Sequence, residues 1–174
     1  FSSMRNFRSI HTLVMSHNML TKLPCDLITK DLPNISHLDM SFNDITHIIG
    51  TFPPKLEILK LQRNQIKKIT GLLNCKVLTT INLAHNNIKI IDGLPSSLEV
   101  LDISNNESSG EANLRMLAVN PNITNVMLDG NPVAAMNNYR IRLRGLLPKV
   151  VEIDHVVIPY KQKKELVNQG KKAL

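Results

Sequence analysis

Six asparagines, Asn18, Asn43, Asn64, Asn86, Asn106 and Asn131, each close the same phrase, apolar-x-x-apolar-x-apolar-x-x-Asn. It reads Ile10, Leu13, Met15, Asn18, then Ile35, Leu38, Met40, Asn43, then Leu56, Leu59, Leu61, Asn64. It continues Leu78, Ile81, Leu83, Asn86, then Leu98, Leu101, Ile103, Asn106, then Ile123, Val126, Leu128, Asn131. The intervals between asparagines are 25, 21, 22, 20 and 25 residues, a near-constant period that marks a repeat architecture. The centre of the phrase, for example Leu59-Lys60-Leu61, alternates with period two and predicts one short strand per repeat. After the strand the chain must turn. A buried Asn there can satisfy backbone N–H and C=O groups whose isolation costs about 1–3 kcal/mol each. Apolar residues return beyond the turn at Leu20 and Leu23, Ile45 and Ile48, Ile66 and Ile69, and Ile88 and Ile91. No single coil can bury its own apolar face, so stability must come from stacked neighbours.

Composition agrees. Hydrophobic residues make up 43% of the 174, while aromatic residues make up only 3% and Trp is absent; uniform coils pack Leu and Ile rather than rings. The connections between strands differ in length. Residues 26–32 and 111–119 predict helices in the two 25-residue repeats, whereas Thr51-Phe52-Pro53-Pro54 and Leu94-Pro95-Ser96-Ser97 leave room for a turn. Asn106 is followed by Glu107-Ser108-Ser109-Gly110 instead of an apolar return, which predicts a loop and the weakest point of the asparagine ladder. Beyond Asn131, residues 138–147 predict a helix with Tyr139, Leu143 and Leu146 inward and Arg140, Arg142 and Arg144 more exposed. Residues 150–153 predict a last strand. An open solenoid end would leave strand edges and apolar faces wet, so a cap is physically required.

These motifs resemble the leucine-rich repeat family. Gly130-Asn131-Pro132-Val133, Tyr139-Arg140, Leu147-Pro148 and Ile153-Asp154 are similar to the C-terminal cap of its intracellular class. That class includes the regulatory leucine-rich subunit of protein phosphatase-1, the axonemal dynein leucine-rich light chain and the spliceosomal U2 A-prime subunit. The resemblance implies an α/β fold: a right-handed β/α solenoid with a short parallel concave sheet and a mixed 3₁₀ and helical convex side. Six repeats with a cap from about residue 130 would occupy residues 1–154, followed by a basic tail at 155–174.

In that class the resemblance implies a concave sheet that grips another protein. The phrase places Val14, His17, Asp39, Phe42, Ile58, Lys60, Arg63, Asn82, His85, Val100, Asp102 and Met127 on that side. Aromatic, Met and Arg side chains are enriched at interfaces, which singles out Phe42, Arg63 and Met127. The implied role is a non-catalytic scaffold, a subunit of a cytoskeletal, axonemal or phosphatase-regulating assembly. The alternative is a ribonucleoprotein subunit that binds an RNA-binding protein and touches RNA through basic residues.

Net charge is +7, contributed by Lys67, Lys68, Lys76, Lys89, the cap arginines and the tail residues Lys161, Lys163, Lys164, Lys171 and Lys172. Such a balance suits an acidic partner, whether acidic protein tails, RNA or an anionic surface. There is no aromatic platform for single-stranded RNA. Catalysis finds little support: Asp39 neighbours His17 in the repeat register, but no Ser or Cys nucleophile in a strained turn accompanies them. The histidines lack metal-ligand spacing, so neither a metal nor a cofactor is expected. No apolar run reaches the length of a membrane span. Two cysteines, Cys25 and Cys75, fall in connecting segments with no disulfide-rich cap around them. The expectation is an intracellular protein, of the cytoplasm, cytoskeleton or cilium, with the nucleus as the alternative.

Overall fold

A computed structural model describes residue 7 and residues 9–159. Each phrase yields one three-residue strand: β1 (Thr12–Val14), β2 (His37–Asp39), β3 (Ile58–Lys60), β4 (Thr80–Asn82), β5 (Val100–Asp102) and β6 (Asn125–Met127). Two short strands follow, β7 (Glu152–Ile153) and β8 (Val156–Val157). All eight join one sheet in chain order. Pairing is parallel from β1 to β7, and β8 folds back antiparallel on β7. The boundary expected at 154 therefore falls inside a hairpin. The tail lysines Lys161, Lys163, Lys164, Lys171 and Lys172 lie outside the described residues.

The middle residue of each strand points inward, and the register aligns these residues across the sheet: Leu13, Leu38, Leu59, Ile81, Leu101, Val126 and Ile153. From Leu38 onward they are buried. Removing such a side chain from water stabilises the fold by about 1.5–3 kcal/mol. Leu13, Ile10 and Met15, in the coil at the sheet edge, are only partly covered.

The asparagines form the expected ladder along the turn. Asn86 shows the pattern: its Nδ2 donates to Leu83 O in its own coil and Leu61 O in the preceding one, while its Oδ1 accepts Ile66 N–H. Asn43, Asn64, Asn106 and Asn131 repeat it one coil apart, each reaching a carbonyl and an amide of the coil before. Asn18 differs. It is exposed and, among the described residues, its Nδ2 bonds only to Met15 O and Ser16 O of its own coil, because β1 is the edge strand of the described sheet.

The convex side carries α1 (Cys25–Asp31), α2 (Gly110–Leu117) and α3 (Tyr139–Leu146), with a 3₁₀ turn at Pro132–Ala135. Tight turns at Pro53 and Pro95 serve the shorter repeats. Two sequence expectations fail here. The ladder is not weakened after Asn106, since Ser108 fills the inward position, fully buried, with its N–H donating to Asn131 Oδ1 and its Oγ to Ile88 O. Asn113 on α2 braces the same region by accepting Ile91 N–H and donating to Lys89 O and Ser109 O. Arg144, expected to be exposed, is 2% exposed. Its side chain turns toward the segment after α3, where Nη1 donates to Val150 O, and it shares a cavity with Val156, Val157 and Ile158.

Candidate functional site

The turn that buries each asparagine also fixes the residue before it. The asparagine carboxamide donates to carbonyls two and three residues back, as Asn43 does to Ser41 O and Met40 O. That tight loop puts the preceding residue in the left-handed region: His17, Phe42, Arg63, His85 and Asn105 have φ of 57°, 54°, 57°, 55° and 53°. Gly130 ends this row at φ 71°, and a side chain there would collide with the Asn105 carboxamide. A shared backbone conformation throws successive side chains the same way, and neighbouring strands lie about 4.8 Å apart. The outward column can therefore stack.

It does so at the N-terminal end. The His17 and Phe42 rings lie 4.1 Å apart at 16°, and the Arg63 guanidinium sits 5.3 Å from the Phe42 centroid. That distance is within cation–π range. Phe42 is 39% exposed and Val14, one coil over, 62%. A stacked aromatic and cationic surface thus faces solvent.

The remaining sequence candidates share this side by strand alternation. Ile58 and Val100 begin their strands and are half-buried. Asp39, Lys60, Asn82, Asp102 and Met127 end theirs. Three of these also brace the turn. Asp39 Oδ1 accepts Ser41 N–H at 3.0 Å and Ser41 Oγ at 2.6 Å, and Asp102 does the same for Ser104 at 3.0 and 2.7 Å. Asn82 Oδ1 accepts Ala84 N–H. The signal was present in the sequence as Asp-x-Ser, a side chain bonding its own backbone two residues on. Asp39 is thus hydrogen-bonded to Ser41, while the His17 ring rests on Phe42. Among the described residues, no three His, Cys, Asp or Glu side chains converge to hold a metal ion.

Charge on the face is mixed: Asp39 lies beside Lys60 in the register, Arg63 follows in the third coil, and Asp102, Asp129 and Glu152 lie toward the cap. Asp154 closes that end, accepting Leu128 N–H and Asp129 N–H through Oδ1 and Arg140 through Oδ2. Burial pushes the Asp154 carboxyl above its usual range, against the lowering effect of those backbone bonds. On the loop side, Lys67, Lys68 and Lys89 line a cavity of about 570 Å³ with Asn87, Ile90 and Glu107. The Asn87 hydrogen bond holds the Glu107 carboxyl below its usual value, with Lys89 also contributing. Cys25 and Cys75 are buried free thiols. Burial, with the Asp26 charge, pushes the Cys25 thiol up to about 12. No described helix is long and apolar enough to cross a membrane.

Comparison with known proteins agrees with this architecture. A family model described as a leucine-rich repeat matches residues 31–47. Mouse lumican is 34% identical over 115 residues, a match covering 60% of this chain and 32% of lumican. The chain thus spans about a third of the length of that relative. A leucine-rich repeat protein of Leptospira interrogans superposes with a TM-score of 0.68 at 26% identity, covering 84% of this chain and 37% of that one. The structure of the Drosophila melanogaster SNF/U2A' complex matches with a TM-score of 0.62 at 20% identity, over 93% of this chain and 85% of that one. This last likeness concerns the fold alone. Six phrases in register, one continuous sheet with a buried asparagine ladder, and these matches give the chain the leucine-rich repeat solenoid fold.

Proposed function

We propose that the chain is a non-catalytic scaffold that holds another protein on its concave sheet, as a subunit of a larger intracellular assembly. The observation that carries this reading is the pre-stacked His17–Phe42–Arg63 column beside exposed Val14. Aromatic and Arg anchors dominate binding energies, and side chains already held in place lose little entropy on association. Cytoskeletal, axonemal and phosphatase-regulating assemblies fit such a subunit. Two buried thiols suit a reducing compartment, the cytoplasm or cilium ahead of the nucleus. Affinity capture with the wild-type chain and with a Phe42→Ala plus Arg63→Ala variant tests the reading. Partners should be recovered with the first and lost with the second; equal recovery of every partner would remove the concave site.

A second reading, a ribonucleoprotein subunit, draws on the exposed lysines Lys67, Lys68 and Lys89 around the loop-side cavity. It requires RNA affinity that falls steeply with salt and drops when those three lysines are neutralised. Salt-independent or absent RNA binding eliminates it.

A further inference from the structure

The cap holds a buried cation with no acidic partner among the described residues. Arg144 on α3 is 2% exposed, and its Nη1 donates to Val150 O at 2.6 Å. Its Nη2 is buried and has no hydrogen-bond partner among the described residues. The other cap arginines are matched: Arg140 reaches Asp154, and Arg142 reaches Glu111 at 2.8 Å. An unpaired buried guanidinium is costly, and an anion that supplies the missing acceptor removes the cost. Burial alone lowers the Arg144 pKa, with no carboxylate among its causes.

Arg144 lines a cavity of about 170 Å³. The walls are apolar, formed by Ile141, Ile153, Val156, Val157 and Ile158, with Arg140 at the same site. A cavity of roughly 150 Å³ takes one benzene-sized molecule, so this one suits a single small group. Its chemistry is specific: a cationic fork that prefers a planar, two-oxygen acceptor, and branched aliphatic walls that suit an apolar group. A phosphate, fully hydrated on all sides, matches the fork but not the walls.

We propose that this cap cavity is a binding site for one carboxylate carried on a small apolar group, with Arg144 as its recognition residue. The site lies away from the concave face and does not rest on the scaffold reading. Two sources share this chemistry, a free branched-chain acid and the end of a polypeptide chain, represented by isovalerate and N-acetyl-leucine.

The test is a methyl-resolved NMR titration of the full chain, following Ile141, Ile153, Val156, Val157 and Ile158. Saturable shifts are expected with isovalerate, with N-acetyl-leucine or with both, and the tighter of the two identifies the source. The corresponding neutral amides should bind at least about tenfold more weakly, the loss expected when a charge-assisted bond becomes a neutral one. Arg144→Met, which fills similar volume without the charge, should abolish the preference for acid over amide. Absence of saturable shifts overturns the proposal, as does equal binding of acid and amide. A preference that survives in Arg144→Met overturns it as well. Should that variant fail to fold, the acid-against-amide comparison on the wild-type chain decides alone.

Discussion

Two columns run along the same turns, one residue apart, and they obey opposite rules. The inner column is Asn43, Asn64, Asn86, Asn106 and Asn131, buried and uniform in type. The outer column is His17, Phe42, Arg63, His85, Asn105 and Gly130, uniform in backbone conformation and diverse in chemistry. The inner residue must close several hydrogen bonds to two coils at once, which a carboxamide does and few side chains can. The outer residue is asked only for φ near 55°, a cost of about 1–2 kcal/mol for an L residue, and its side chain is otherwise unconstrained. Uniform chemistry therefore marks what holds the solenoid, and variable chemistry marks what it can present.

The sharpest way to break this contrast is Asn86→Ala. It strands Ile66 N–H and removes the Asn86 bonds to Leu61 O and Leu83 O, carbonyls that Asn64 and Asn106 still reach, and the loss of these buried bonds should cost about 3 kcal/mol or more by urea denaturation. A loss under 1 kcal/mol would mean that water or neighbouring groups replace the carboxamide. Leu59→Ala, next in size, should cost about 2–5 kcal/mol by leaving a cavity in the inward row. Phe42→Ala plus Arg63→Ala should leave urea stability within about 1 kcal/mol of wild type, while partner affinity falls at least about tenfold. Lys60→Ala, exposed on the same sheet, should shift stability by no more than about 0.5 kcal/mol.

The smallest effect concerns the cap end of the inner side. The folded pKa of Asp154 is raised by burial, so the folded state holds this proton more tightly than the unfolded chain. The contribution of Asp154 is then fully present below its unfolded pKa and lost as pH rises through the folded one. Stability measured across the acidic range should show this decline, and Asp154→Asn should flatten it. A rise with pH that depends on Asp154 would reverse the assignment.

Most of the fold was legible because the repeat states it six times over. The strands fall on the alternating centre of each phrase. The helices expected at 26–32, 111–119 and 138–147 appear as Cys25–Asp31, Gly110–Leu117 and Tyr139–Leu146. What escaped has a common cause. Ser108, Asn113 and Arg144 are polar residues whose burial depends on elements elsewhere in the chain: Ile88 O and Asn131 for the serine, Ile91 for the asparagine, Val150 O for the arginine. Local pattern assigns such residues to the surface. Asn18 failed in the opposite sense, since its phrase is complete but its coil lies at the sheet edge. On the concave face, strand alternation gives the side taken by the candidates within strands, but the His17–Phe42–Arg63 stack needed the φ of the turn, which no residue type in the phrase announces.

Amide hydrogen exchange tests the division of labour most directly, because it reads each turn separately. In Asn86→Ala, protection should collapse at Ile66, whose N–H donates to Asn86 Oδ1, and the loss should spread to amides of the adjacent coils. In Phe42→Ala plus Arg63→Ala, the same amides should remain as protected as in the wild type. Similar loss in both variants would contradict the separation of inner and outer columns, and with it the idea that recognition here rides on a framework it does not support.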